Sequence, residues 1–456
     1  MVNEAKQKLP RRYEKMRDSG VAWIGMVPEN ATIVRLKHLT AYIESGTSVN
    51  AGQSPAQNSA FGILKTSCVS KFVFSPGENK SVNLDEYNRV HCPVCHNTII
   101  VSRMNTPDLV GACGYVDRDY LNLFLPDRLW QVHFKTSVNV KYLWYYLQSC
   151  AVRQYYASLA TGTSSSMQNI SQQQFLNVPV VLFPDTFAFQ IVAFLDNKCQ
   201  QIDALIAEAK ASIEEYKAWK ASIIYEAVTK GLDPQAEMKD SGVEWIGEIP
   251  EEWYVCKTLF VLQMPITDGP HTTPELYAAG VPFVSAEAVS CGNGRIDFNH
   301  IRGYISEGFY QECCKKYIPQ KDDIYMIKSG ATTGKVAIVD VDTKFTIWSP
   351  LAAFRVNPKK VLPRYLFYFL QSPAYQKQVE LGWSFGTQQN IGMRTLEKLK
   401  ICVPPLSVQQ EIIRYLDEKS KKLDAIIKEK TDLISDLESY KKSLIYEVVT
   451  GKRKVC

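Results

Sequence analysis

One stretch of this chain occurs twice. Met16-Arg17-Asp18-Ser19-Gly20-Val21-Ala22-Trp23-Ile24-Gly25 returns as Met238-Lys239-Asp240-Ser241-Gly242-Val243-Glu244-Trp245-Ile246-Gly247, and each copy soon reaches a Pro-Glu pair, Pro28-Glu29 and Pro250-Glu251. Self-similarity of that length predicts two copies of one folding plan. The echo continues downstream. Lys141-Tyr142-Leu143-Trp144-Tyr145-Tyr146-Leu147-Gln148-Ser149 corresponds to Arg364-Tyr365-Leu366-Phe367-Tyr368-Phe369-Leu370-Gln371-Ser372, an aromatic run that reads as a buried core helix. Next, Gly162-Thr163 followed by Gln168-Asn169-Ile170 matches Gly386-Thr387-Gln388-Gln389-Asn390-Ile391, the first copy carrying a serine insertion from Ser164 to Ser166. Loops absorb insertions of this kind.

Each copy closes in a long helical pattern. Leu195, Ile202, Ile206, Ala209, Ile213, Tyr216 and Ile223 mark one stripe, and about 221 positions later Leu416, Leu423, Ile427, Lys430, Ile434, Leu437 and Leu444 repeat it in heptad-like spacing, with Lys430 alone breaking the seam. Ser407-Val408-Gln409-Gln410 reads as a capping box and Thr186 as a simple cap. Gly231 and Gly451 supply the residue that tolerates positive φ at the far ends. A helix of about 40 residues is roughly 60 Å long, more than a compact domain can cover, so the two stripes are expected to pack on each other. Antiparallel pairing would relate the halves by a pseudo-twofold axis, an architecture suited to a molecular ruler. Gly231-Leu232-Asp233-Pro234 is the natural break between the copies.

The expected organisation is therefore an extension (1–19), a first α/β (α+β) globular domain (20–185), a spacer helix (186–231), a linker opening the second repeat (232–244), a second domain (245–405), a second helix (406–451) and a tail (452–456). At 456 residues and 46% hydrophobic content the chain has material for two such cores. No apolar run approaches the roughly 20 residues of a membrane span, and the N-terminal residues carry no apolar signal block, which places the protein in the cytoplasm with its twelve cysteines reduced. A net charge of +5 is only mildly basic, so any phosphate-binding surface has to be local.

The Asp-Ser-Gly-Val-x-Trp-Ile-Gly opening, the Gly-Thr…Gln-Asn-Ile loop and the closing Leu-Ile-Tyr-Glu-x-Val-Thr-Gly segment (Leu444 to Gly451, in variant form Ile223 to Gly231) resemble the specificity subunits of prokaryotic type I restriction-modification systems. The likeness spans almost the whole chain. It implies two target recognition domains, each reading one half of a split double-stranded DNA site. It also implies two spacer helices that set the gap and dock two methyltransferase subunits, with restriction subunits completing the complex. S-adenosylmethionine, ATP and Mg²⁺ would then belong to the partner subunits, leaving this chain without a cofactor or a catalytic site of its own. No Asn-Pro-Pro-Tyr type tetrapeptide, helicase box, Gly-x-Ser-x-Gly elbow or His-Glu-x-x-His helix occurs in it.

Ser329-Gly330-Ala331-Thr332-Thr333-Gly334-Lys335-Val336 imitates a phosphate-binding loop but has three residues between its glycines and Val336 where a hydroxyl belongs. It reads either as a structural turn or as the family's recognition turn, carrying Thr332, Thr333 and Lys335 toward DNA. Its first-half counterpart, from Val101 through Gly111 to Tyr115, offers Ser102, Arg103, Asn105 and Thr106. Gln168, Asn169, Gln388, Gln389 and Asn390 add amides that can distinguish base edges or, equally, cap short helices. Ile202, Ile206, Ile213, Tyr216, Leu423, Ile427, Ile434 and Leu437 are the candidates for holding partner subunits. His91-Cys92-Pro93-Val94-Cys95-His96 packs four possible metal ligands into six residues without a second ligand pair, and reads as a reduced loop or a zinc site. A helical interaction scaffold that does not read DNA is the rival interpretation. Such a scaffold has no need of two polar, glycine-bearing loops.

Overall fold

In this computed structural model, which describes residues 13–57, 59–164, 167–384 and 389–455, both long patterns are single helices, Asp185–Thr229 and Leu406–Val449. Their starts differ from expectation. The central helix begins directly after Pro184, whose carbonyl accepts from the Phe187 and Ala188 N–H groups at 2.9 and 3.1 Å, so Thr186 lies exposed inside the first turn and caps nothing. Gln409 is wholly buried in the C-terminal helix, where its Oε1 accepts from the Leu362 N–H at 2.8 Å and its Nε2 donates to the Pro404 carbonyl at 2.8 Å. It ties the helix to the preceding loop instead of closing a capping box. Gly231 and Gly451 follow the two helices at φ +79° and +74°, and a Cβ on Gly451 would come within 2.3 Å of Pro28 Cδ.

The chain divides into two units, Met1–Glu208 with Asp432–Cys456, and Ala209–Thr431. In the first, a four-stranded antiparallel sheet runs in the order Cys113–Val116, Thr98–Ser102, Leu129–Phe134, Thr40–Ser45. A second sheet orders Asn79–Ser81, Gly62–Leu64, Tyr120–Phe124 and Pro93–Val94, with Leu123 opposite Gly62 in parallel pairing. The second unit repeats the plan. Val336–Ile338, Ile324–Ile327, Leu351–Phe354 and Thr267–Asp268 form the four-stranded sheet; Gly303–Ile305, Val281–Val284 and Thr346–Ile347 form the other, again with one parallel pair, Phe283 opposite Thr346. Gly46 and Gly269 occupy equivalent points of very close approach: a Cβ would sit 1.5 Å from the Leu125 carbonyl oxygen in one and 1.8 Å from that of Ile347 in the other. Mixed α/β domains in two copies are thus what the sequence encodes.

The aromatic runs form the helices Val140–Leu147 and Pro363–Gln371, whose Tyr142, Tyr146, Tyr365 and Phe369 are wholly buried. These helices explain the repeated opening motif. In the first unit Ile24 and Val27 join Tyr142, Tyr146, Leu444, Ile445, Val448 and Val449 in one core, and the Tyr446 hydroxyl donates to the Trp23 carbonyl at 3.3 Å. In the second, Ile246, Ile249 and Trp253 pack with Tyr365, Ile224, Ala227 and Val228, and Tyr225 donates to the Ile246 carbonyl at 3.1 Å. Each motif is therefore a seat for a helix end, and burying such apolar clusters contributes about 25 cal/mol per Å² of area removed from water.

Candidate nucleic-acid interface

In the first unit the strand Thr98–Ser102 leaves its sheet at Arg103, and the next two residues, Met104–Asn105, pair antiparallel with Met167–Asn169. Asn105 stands directly opposite Gln168, and Met104 opposite Asn169. Residues facing each other in this way bring their side chains within interaction range. The Ile170 N–H donates to the Arg103 carbonyl at 3.1 Å, and the Arg103 N–H donates to the Arg128 carbonyl at 3.2 Å. Exposed Arg128, which sequence reasoning missed because it lies 25 residues on, in the turn before the strand Leu129–Phe134, thus becomes a backbone neighbour of Arg103. The loop after Asn105 returns through Gly111, at φ +71°, whose N–H donates to the Ser102 carbonyl at 2.6 Å. Arg153 braces this loop, its Nη2 donating to the Asp108 and Val110 carbonyls at 3.0 and 2.6 Å.

Ser102 is a correction to the candidate set. It is wholly buried, its hydroxyl donating to the Met104 carbonyl at 3.3 Å and accepting from Asn105 Nδ2 at 3.4 Å. It supports the hairpin from below and presents nothing to a ligand. Asn105 also accepts from the Thr106 N–H at 2.9 Å, while Thr106 itself is exposed. Neither asparagine caps the following helix: Ser171 does so in the first unit, reciprocally with Gln174, and Gly392 holds that position in the second.

The second unit builds the same device from different side chains. Lys328 leaves the strand Ile324–Ile327, its N–H donating to the Pro350 carbonyl at 2.8 Å while its own carbonyl accepts from Ile391 at 2.9 Å. Ser329 and Ser384 both bridge to Asn390, and the Gly330 N–H donates to the Gln389 carbonyl at 3.0 Å. Gly334, at φ +93°, donates to Ile327 as Gly111 does to Ser102. Lys328 is thus the equivalent of Arg103, and Gln389 and Asn390 are the equivalents of Gln168 and Asn169. Gln389 and Asn390 are exposed, whereas Gln388 lies outside the described residues.

Thr333 closes the turn by donating to the Gly330 carbonyl at 2.7 Å, Thr332 is half-buried, and exposed Lys335 reaches the Ser290 carbonyl at 3.4 Å. Gln376, the counterpart of Arg153, holds this turn through the Gly334 carbonyl at 2.9 Å. Lys328 differs electrically from Arg103. Its ammonium lies 3.2 Å from the buried carboxylate of Asp268, which also binds Lys316 and meets His271 at 3.1 Å. Burial pushes that carboxyl upward, but the hydrogen bonds and charges of Lys316 and Lys328 outweigh it and hold the group below the usual carboxylate range.

The pattern of the type I restriction modification DNA specificity domain matches residues 275–435, in the second repeat. The MjaX type I restriction enzyme specificity subunit of Methanocaldococcus jannaschii is 24% identical over 440 residues, spanning 95% of this chain and 96% of that one. The MjaVIII specificity subunit of the same organism is 25% identical over 295 residues, covering 64% and 66%. Over nearly its whole length the chain is thus similar to a type I restriction enzyme specificity subunit. Its fold agrees: a chain solved in a study of complex assembly and conformational transition of the type I R-M system superposes with a TM-score of 0.64 at 16% identity, over 93% of this chain and 98% of that one.

The set of helix residues expected to hold partner subunits needs correction. Ile202, Ile206, Ile213 and Leu423 are buried, and Tyr216, Ile427, Ile434 and Leu437 are half-buried. Ile202 and Ile206 share a core with Leu444, Ile434 and Leu437 of the chain's own C-terminal helix, so the stripe is an internal seam. In the second unit Tyr216 meets Lys430, whose ammonium lies 5.9 Å from the ring centroid, and one turn later Lys220 meets Asp424 at 2.7 Å. The helices there run antiparallel, and the lysine that interrupts the stripe is accommodated by its attraction to the aromatic face. Among the described residues, the large apolar groups of these helices left outside are Phe189, Leu205, Leu433 and Tyr440 in the first unit and Trp219 and Leu406 in the second.

The His91–His96 segment does not converge. Cys92 lies 3.9 Å from Glu44, Cys95 faces the Pro93 carbonyl, and His91 touches Thr47. Burial, then the charges of Glu44 and Cys95, push the Cys92 thiol up to about 12. Among the described residues no group of three or more His, Cys, Asp or Glu side chains is placed to hold a metal ion. Among them, too, no helix is long and apolar enough to cross a membrane.

Proposed function

We propose that each unit of this specificity subunit reads one half of a bipartite double-stranded DNA site, in the cytoplasm of a prokaryote. The two helices set the unread gap and carry two methyltransferase subunits, to which restriction subunits add. The observation behind this reading is a polar hairpin and braced glycine turn built twice on one backbone plan from different side chains: Arg103, Asn105 and Gln168 in one unit, Lys328, Gln389 and Asn390 in the other. Equal backbones with unequal polar edges suit two readers of different sequences, because base edges are discriminated by donors and acceptors while the scaffold only positions them. Chemistry falls to the partners: S-adenosylmethionine, ATP and Mg²⁺ act on their chains, and this one turns over nothing. Removing about one helical turn, roughly 5.4 Å, from the spacers changes the tolerated gap.

The test is selection of random duplexes by the full chain co-purified with its methyltransferase subunits. Enrichment of two specified blocks around a fixed unspecified gap supports the reading. Retention of duplexes regardless of sequence leaves a scaffold instead.

A further inference from the structure

Arg103 and Lys328 hold one position in two copies of one hairpin, yet their surroundings differ. Lys328 is neutralised by Asp268, whose counterpart in the first unit is Ser45, next to the close-approach glycine. Ser45 carries no charge, and its hydroxyl donates to the Asp127 and Leu129 carbonyls at 3.4 and 3.3 Å. Half-buried Arg103 makes no side-chain hydrogen bond and no ion pair with any described residue, and its Nε is buried without an acceptor. An orphaned buried donor is a standing penalty in the free protein. The two Nη groups are not buried and pair with no described residue, so the outer fork is left open to a ligand.

We infer that Arg103 reads a guanine in the half-site of the first unit, and that Arg128 beside it contacts phosphate. This deepens the proposed function and rests on it. A guanidinium presents two parallel N–H donors to the O6 and N7 acceptors of guanine, the commonest specific arginine contact in the major groove. The side chain is half-buried, and among the described residues no carboxylate pairs with it. The facing amides of Asn105 and Gln168 adjoin it with further donors and acceptors. Arg128 is exposed in the turn before the neighbouring strand, as suits a backbone contact that positions without specifying. The second unit cannot use Lys328 in the same way, because a compact ammonium tied to Asp268 offers no fork. The two half-sites therefore differ in chemistry at equivalent positions.

The experiment compares methylation patterns in cells carrying the full chain with its methyltransferase subunits, for wild type, Arg103→Ala, Arg103→Lys, Arg128→Ala and Lys328→Ala. Arg103→Ala and Arg103→Lys are each expected to relax a single G·C position in one block, by about 5- to 150-fold in discrimination, while the other block stays intact as an internal control of folding. Arg128→Ala should keep the whole motif while weakening binding and lowering its salt slope by about one. The inference is overturned if Arg103→Lys keeps every letter of the motif, if relaxation falls on an A·T position, or if Lys328→Ala relaxes a base in the same manner. A wild-type chain that directs methylation without a two-block motif removes the proposed function itself.

Discussion

The hydroxyl of Tyr142 donates to the carbonyl of Val449 at 3.0 Å, across 307 residues of sequence. The same hydroxyl is 2.6 Å from the Val181 carbonyl. Its repeat partner Tyr365 reaches the Val228 and Cys402 carbonyls at 3.1 and 3.2 Å. In both units one tyrosine of the aromatic helix thus fastens a strand and the last turn of a long helix. Tyr142→Phe and Tyr365→Phe should each lower stability by about 1–2 kcal/mol, since a buried donor is lost and carbonyls lose a partner. Urea unfolding with unchanged m would register it.

The seam of the long helices carries two ion pairs that are repeat equivalents, Lys220–Asp424 in one unit and Asp203–Lys441 in the other, both at 2.7 Å. Lys220 and Asp424 retain 18% and 31% of their side-chain exposure, while Asp203 retains 57%. Double-mutant cycles to alanine are expected to give a coupling of about 0.5–1 kcal/mol for the more sheltered pair and a smaller one for the other.

Asp268→Asn should destabilise the second unit by about 3 kcal/mol, because it leaves Lys328 close to an uncharged, buried amide. The sign of the pH dependence follows from a folded-state pKa below its unfolded value. The carboxylate's contribution is complete above the ordinary carboxylate range and is lost as pH falls through the folded value. Wild type and Asp268→Asn should therefore differ by a constant amount between about pH 6 and 8 and converge in acid, as followed by thermal unfolding across pH.

Partner subunits, on this account, hold the outer helix faces and not the seam. Leu205→Glu, Leu433→Glu and Tyr440→Ala should each weaken methyltransferase-subunit association at least tenfold in a co-purification titration, with melting temperature nearly unchanged, because these side chains are about half exposed already. Ile206→Glu should instead unfold the first unit.

Much of the fold could be read directly. The repeat, the two helices, the aromatic core helices and the closing glycines all follow from patterns that packing enforces locally: Tyr142, Tyr365, Leu195 and Leu416 are wholly buried. What escaped lay in long-range partners. Periodicity identifies a stripe but not what covers it, so Ile202 and Leu423 read equally well as a seam or a docking surface. Capping patterns were misread for a related reason: Gln409 answers a loop 47 residues away instead of its own helix end. At the candidate interface, residue type pointed to Arg103, Asn105 and Gln168. It could not show that Ser102 is buried beneath them, that Arg128 adjoins them, or that Lys328 and not Lys335 takes the place of Arg103.

The most direct test of two independent readers is the methylated motif produced by the assembled enzyme with Gln168→Ala or with Asn390→Ala. Two specified blocks are expected, the first substitution degrading one block only and the second degrading only the other. A single uninterrupted block, or both substitutions degrading the same block, would contradict the account.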